Sequence, residues 1–219
     1  MTPEETPTVS ETVVEPSLAV LKRFMSKRAP AVSCELCAAP VAEHPHHEHL
    51  FDPAVRNLLC SCTPCALLFP ADADRKYLRV ARRLFALSGF TMSDLQWESL
   101  AIPVGMAFVH RTRDGGVGAL YPSPAGPTES LLPLEGWAEL VEANPILDRL
   151  EPEVEALLIN RVGARRDYYI APIDRCYELV GLIRVSWRGL SGGHEVWERI
   201  DEFFGTLAAT ADAREAANA

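Results

Sequence analysis

Lysine is scarce in this 219-residue chain: Lys22, Lys27 and Lys76 are the only three, and arginine supplies the rest of the 21 basic residues. They are outnumbered by 30 Asp and Glu, giving a formal net charge of −9 and a pI near 5.2. That balance argues against a dedicated nucleic-acid binder, which presents a basic face. No apolar run approaches the roughly 20 residues that span a bilayer. The first 16 residues, rich in Thr, Glu and Pro, lack the basic start and apolar stretch of a secretory signal. There is no Walker or dinucleotide fingerprint, and no Ser-His-Asp or Cys-His pairing can be assigned by spacing. The expectation is a cytoplasmic, non-enzymatic protein with no membrane span and no nucleic-acid partner.

Hydrophobic residues make up 48% of the chain, enough for a sizeable core. Charge is uneven. Residues 18–95 carry ten Lys/Arg against seven Asp/Glu, and residues 96–219 carry eleven against nineteen. Residues 1–17 have little to bury and read as disordered. Residues 18–27 read as a short amphipathic helix. Residues 72–87 read as a second, capped by Asp72 or Asp74. Tyr77, Val80, Ala81, Leu84 and Phe85 form its apolar stripe, and Arg75, Lys76, Arg79, Arg82 and Arg83 its basic face. That face reads as solvated, or as a docking surface for acidic groups.

Strands are expected at 97–102, 104–110, 117–121, 154–161 and 167–171, with a hairpin turn at Arg113-Asp114-Gly115-Gly116. Residues 122–127, with three prolines, read as a loop. Helices are expected at 134–142, 172–187 and 194–207, the last two separated by Ser191-Gly192-Gly193. The tail after Ala208 should fray. The organisation expected is therefore α+β: a disordered start (1–17), a small zinc-ribbon-like module with flanking helices (18–95), an α+β domain (96–208) and a flexible tail (209–219).

Five of the six cysteines fall within residues 34–65. Cys34-Glu35-Leu36-Cys37 and Cys62-Thr63-Pro64-Cys65 are two C-x2-C knuckles, and 24 residues separate them. A two-residue interval lets one tight turn aim both sulfurs inward, so four thiolates can close a tetrahedron around zinc. Iron in a rubredoxin-like site also fits four thiolates and would make the protein an electron carrier. The interval is long enough for a β-hairpin with strands near 49–51 and 57–59 and its turn at Asp52-Pro53. Cys60 is surplus. It is either an alternate to Cys62 or a thiol packed under the knuckle. His44, His46, His47 and His49 form a dense cluster that reads as an exposed polar loop, as a second site for nickel, zinc or copper, or as a source of an alternate ligand in His47 or His49. Paired knuckles around His-His-x-His and Asn57 are also reminiscent of an HNH nuclease, although the histidine or asparagine expected after the last knuckle is missing. Cys176 lies on a helical apolar stripe and reads as a small buried residue. His110, on an expected strand, reads as structural.

The two knuckles, His47-x-His49-Leu50, Leu59-Cys60-x-Cys62-x-x-Cys65, Tyr121-Pro122-Ser123-Pro124-Ala125-Gly126, Val154-Glu155-Ala156-Leu157-Leu158 and Trp187-Arg188-Gly189-Leu190-Ser191-Gly192-Gly193 together resemble a largely actinobacterial family of unknown function encoded near uptake [NiFe]-hydrogenase genes. The resemblance spans about residues 30–207. It implies a role in hydrogenase assembly or electron delivery, with hydrogenase subunits or maturation factors as protein partners. Cys34, Cys37, Cys60, Cys62 and Cys65 match that family's cysteine pattern, and His47 and His49 its histidine pair.

Overall fold

The computed structural model describes residues 32–43, 46–70, 75–100, 102–130, 134–189 and 191–215. The expected helix at 18–27, the disordered start, His44 and the capping Asp72 and Asp74 lie outside them.

Two sheets organise the chain. The smaller, of order β2-β1-β3, joins β1 (Glu48–Asp52), β2 (Asn57–Ser61) and β3 (Leu78–Arg79). One-turn helix α1 (Thr63–Ala66) follows β2. The larger, seven-stranded sheet has the order β10-β4-β9-β8-β5-β6-β7. Its strands are β4 (Phe85–Ser88), β5 (Met106–Arg111), β6 (Val117–Ser123), β7 (Gly126–Ser130), β8 (Glu155–Asn160), β9 (Asp167–Pro172) and β10 (Asp212–Glu215). All its pairings are antiparallel except β10 with β4. Helices α2 (Asp94–Ser99), α3 (Leu134–Ala143), α4 (Ile173–Ser186) and α5 (His194–Thr210) and a 3-10 turn at Pro145–Arg149 complete an α+β fold.

Both faces of the large sheet are covered, which is why its central strands read as continuous apolar runs. All six residues of β8 are buried. The pleat sends Ala156 and Leu158 to one side, where α4 and α5 pack through Cys176, Val180, Ile200 and Phe204. It sends Leu157 and Ile159 to the other, against Trp137, Leu140 and Leu147. The small sheet joins the first core through Phe51 and Val80. The Phe51 ring lies 5.9 Å from that of Tyr177 on α4. Cys176 is fully buried there, and burial pushes its thiol up. Among the described residues no helix is long and apolar enough to cross a membrane.

Several expectations are corrected. Residues 75–87 are not helical. They run extended as β3 and β4, because Val80 donates to the His49 carbonyl at 3.0 Å while Phe85 and Ala86 pair with Ile170 and Tyr169. The apolar residues of this segment serve two sheets, and that tertiary demand overrides their helical spacing. The large sheet therefore starts at Phe85, ahead of the division expected at 95/96. The arginines do not form one solvated face. Arg79 and Arg82 hold the buried Glu48 at 3.1 and 2.9 Å, and Arg83 holds the fully buried Glu155 at 2.6 Å.

Residues 94–99 are helical, not extended. Ser93 and Gln96 form a reciprocal capping box at the start of α2. The proline-rich stretch is a tight hairpin in which Pro122 pairs with Pro127. The second proline falls on edge strand β7, where a missing N–H costs little. Finally, the tail does not simply fray after Ala208: α5 continues to Thr210, and Asp212–Glu215 adds a parallel edge strand.

Two substitutions test this packing. Gly192 has φ +87° between α4 and α5, and a Cβ there would sit 2.7 Å from Val196 and 3.1 Å from the Trp187 ring. Gly192→Ala should cost about 2 kcal/mol in denaturant unfolding. His110 on β5 is buried, 4.0 Å from the Glu153 carboxylate. Burial lowers its pKa, against the opposing pull of Glu153. The unfolded chain thus protonates this imidazole before the folded one does. Stability is complete above the unfolded value, about 6.5, and is lost as pH falls below it, at up to about 1.4 kcal/mol per pH unit. His110→Gln should flatten that loss as pH falls below about 6.5, measured by unfolding across pH.

Candidate metal centre

The β1–β2 hairpin brings the two knuckles together. Its register pairs Glu48 with Ser61, His49 with Cys60 and Asp52 with Asn57. The first knuckle is a tight turn in which Ala38 donates to the Cys34 carbonyl at 2.8 Å and itself takes φ +59°. The second forms because Cys62 is the extended N-cap of α1 and Pro64 occupies its first turn, where a proline is tolerated. Two bonds lock the knuckles to each other. Glu35 N–H donates to the Cys60 carbonyl at 2.9 Å, and Cys60 N–H donates to the Glu35 carboxylate at 2.7 Å.

The sulfurs of Cys34, Cys37, Cys62 and Cys65 all lie within 4.8 Å of one another, and those of Cys37 and Cys62 are 3.7 Å apart. A tetrahedral ion with metal–sulfur bonds of about 2.3 Å separates its sulfurs by about 3.8 Å. The four cysteines named from the knuckle spacing are thus the ones the fold gathers, and they can hold a metal ion. Cys34 is buried and the others are at least partly open to solvent.

Crowding four thiols has an electrostatic consequence. Burial raises the Cys34 thiol, but backbone hydrogen bonds from Cys62, Cys37 and Leu36 outweigh it and bring it down to about 5. The neighbouring Cys37 and Cys62 thiols, with burial, push Cys65 up to about 12. At Cys37 a backbone hydrogen bond from Ala39 lowers the pKa, and contacts with Cys34 and Cys62 raise it overall. One thiolate is stabilised at the others' expense, so full ionisation requires a cation.

Cys60, His47 and His49 do not join this group. They form a second cluster of their own, again with ligand atoms within 4.8 Å. Cys60 thus groups with the two histidines, whereas Cys62 groups with the other three knuckle cysteines. The histidine run divides as well: His46 is exposed, while His47 is buried and His49 partly so. Asn57 lies at the turn end of the hairpin opposite Asp52, about 10 Å along the strand from the His49–Cys60 pair, so the histidines and Asn57 do not converge as an HNH centre would require. Asp174, in the first turn of α4, meets His49 at 2.8 Å. The sequence carried no signal for that pairing, because 125 residues separate the two.

Metal loading at neutral pH should release protons from Cys37 and Cys65, and affinity should fall as pH drops, because protons and metal compete for the same sulfurs. Calorimetry in buffers of different ionisation enthalpy checks this. Cys34→Ser should weaken metal binding by at least about 100-fold. It should also raise hydrogen exchange in β1 and β2 more than in β8 and β9.

Residues 33–211 match the DUF5947 family, described as a family of unknown function. No curated protein and no solved structure matches the chain. The match opens immediately before the first knuckle and closes after α5, so it takes in the knuckles, the small sheet and all of the large sheet except β10. It covers far more than half of the 219 residues, and the chain belongs to the DUF5947 family.

Proposed function

We propose that this protein is a non-enzymatic accessory protein in which a structural zinc, held by Cys34, Cys37, Cys62 and Cys65, staples a zinc-ribbon-like module that docks a protein partner. The observation that carries the reading is the closed group of four sulfurs within 4.8 Å of one another, a donor set suited to a redox-inert tetrahedral ion. Four protein ligands fill a tetrahedron and leave no position for substrate, as in structural sites.

Docking is supported by apolar exposure beside the knuckles. Leu36 is 39% exposed and Leu67 and Leu68 are each 62% exposed, all within three residues of a cluster cysteine. On the resemblance to proteins encoded near hydrogenase genes, the partner is a subunit or maturation factor of a [NiFe] hydrogenase.

Anaerobically purified protein should contain one equivalent of zinc and be colourless. Less than about half an equivalent of any metal would sink the metal reading, since closed thiolate sites hold zinc tightly. Red protein containing iron would replace it with a rubredoxin-like electron carrier. Leu67→Ser combined with Leu68→Ser should weaken binding to purified hydrogenase subunits by about tenfold or more, with zinc content unchanged.

A further inference from the structure

Cys60 and two of the histidines form a constellation that the four-sulfur centre does not use. Strand pairing builds it. His49 and Cys60 are directly opposed partners across the β1–β2 ladder, and His47 lies two residues from His49 and so on the same side. The His47 and His49 rings meet edge to face with centroids 4.5 Å apart.

Hydrogen bonding selects the tautomer of each ring. His47 Nδ1 lies 3.0 Å from the Ala42 carbonyl oxygen, and His49 Nδ1 lies 2.8 Å from Asp174 Oδ2. A carbonyl and a carboxylate only accept, so each Nδ1 carries a proton, and in the neutral ring Nε2 then holds the lone pair. A metal-binding histidine has this arrangement: one nitrogen donates to a carbonyl or carboxylate, and the other is left for the ion.

We propose that His47, His49 and Cys60 form a second, exchangeable metal site, distinct from the four-sulfur centre, that takes a borderline transition-metal dication such as zinc, cobalt or nickel. Two imidazoles and a thiolate suit that class better than the oxygen-seeking magnesium or calcium. Two neutral imidazoles and one thiolate leave a bound dication with one residual positive charge, and the Asp174 carboxylate against His49 offsets it. Three protein donors leave one tetrahedral position for a donor from outside. A cavity of about 300 Å³ adjoins the two rings, lined by His47, His49, Asp174, Val80, Leu84 and Arg175. The site holds its ion less tightly than four thiolates do, so it fills second and empties first.

The test uses the full-length protein reloaded anaerobically with one equivalent of zinc and then titrated with cobalt(II). One further equivalent should bind, with a sulfur-to-cobalt charge-transfer band. Cys60→Ser should abolish the band, and His49→Asn should weaken the second equivalent by more than about tenfold. Asp174→Asn should weaken it about 10- to 100-fold while keeping the band, because Asp174 orients a ligand without being one.

Alkylation mapped cysteine by cysteine gives a reading on the unmutated protein should a variant fail to fold. Cobalt should protect Cys60 in proportion to the second equivalent. Binding of a single metal in total, or a second ion with the same affinity in Cys60→Ser and His49→Asn, would overturn the proposal. Unprotected Cys34, Cys37, Cys62 and Cys65 alongside a protected Cys60 would instead overturn the structural-zinc reading and leave this one standing.

Discussion

The antiparallel register of β1 and β2 is the constraint on which the rest of the cysteine region depends. With His49 opposite Cys60 and Glu48 opposite Ser61, one side of the hairpin carries His47, His49 and Cys60, and Glu48 alternates away to meet Arg79 and Arg82. A slip of one residue would exchange the two sides. It would put Glu48 where the histidines are and draw the bond from Cys60 to Glu35 out of reach. It would also turn Phe51 away from Tyr177, removing the contact that seats the small sheet on α4. Register, knuckle geometry and docking onto the large core are one condition, satisfied together.

Three buried charges in this molecule follow one rule. Glu48 is buried, and burial alone would raise its carboxyl, but Arg79 and Arg82 bring it below its ordinary value. Glu155 on β8 is fully buried and receives both arms of the Arg83 guanidinium at 2.7 and 2.6 Å. Arg161 is likewise buried and meets Asp94. Glu48, Glu155 and Arg161 each have an opposite charge within bonding distance, as low-dielectric burial demands. The four clustered thiols depart from the rule. Their pKa values split, with Cys34 at about 5 and Cys65 at about 12, because backbone hydrogen bonds favour the Cys34 thiolate while the neighbouring Cys37 and Cys62 thiols disfavour that of Cys65. A metal ion is what would bring this corner of the fold into line with the rest.

Much of the large domain was legible in the sequence because its signals are local. The apolar runs of β8 and β9, the apolar stripes of α4 and α5 and the glycines between them lead directly to the observed elements. The four cluster cysteines were legible for the same reason, since a C-x2-C turn is set by its own backbone. Residues 75–87 were not. Their apolar residues happen to recur at helical spacing, while the partners that hold them extended, His49 on β1 and Tyr169 and Ile170 on β9, lie far along the chain. Helix α2 was missed although Ser93-x-x-Gln96 is a capping signature, because Trp97 and Leu100 beside it suggested a strand. The Asp174–His49 bond exists only once α4 has packed against the hairpin, and Cys60 meets the histidines only once β1 and β2 have paired. Spacing within a segment cannot express them.

That partition has a thermodynamic corollary. Cys60 belongs to both halves of the cysteine region: its backbone is bonded in both directions to Glu35 of the first knuckle, while its sulfur sits with His47 and His49. An ion closing the four-sulfur cluster would hold the Cys34–Cys37 turn, and through Glu35 it would hold the Cys60 backbone in the register that aligns it with His49. The entropy of ordering that strand is then spent once, on the first ion, and the second cluster is met already arranged. Coupling between sites is reciprocal, so an ion bound by His47, His49 and Cys60 would tighten the four-sulfur cluster by the same factor. Two groups of ligands joined through one residue's backbone would therefore behave as a linked pair if both bind ions, the closed centre setting the frame for the open one.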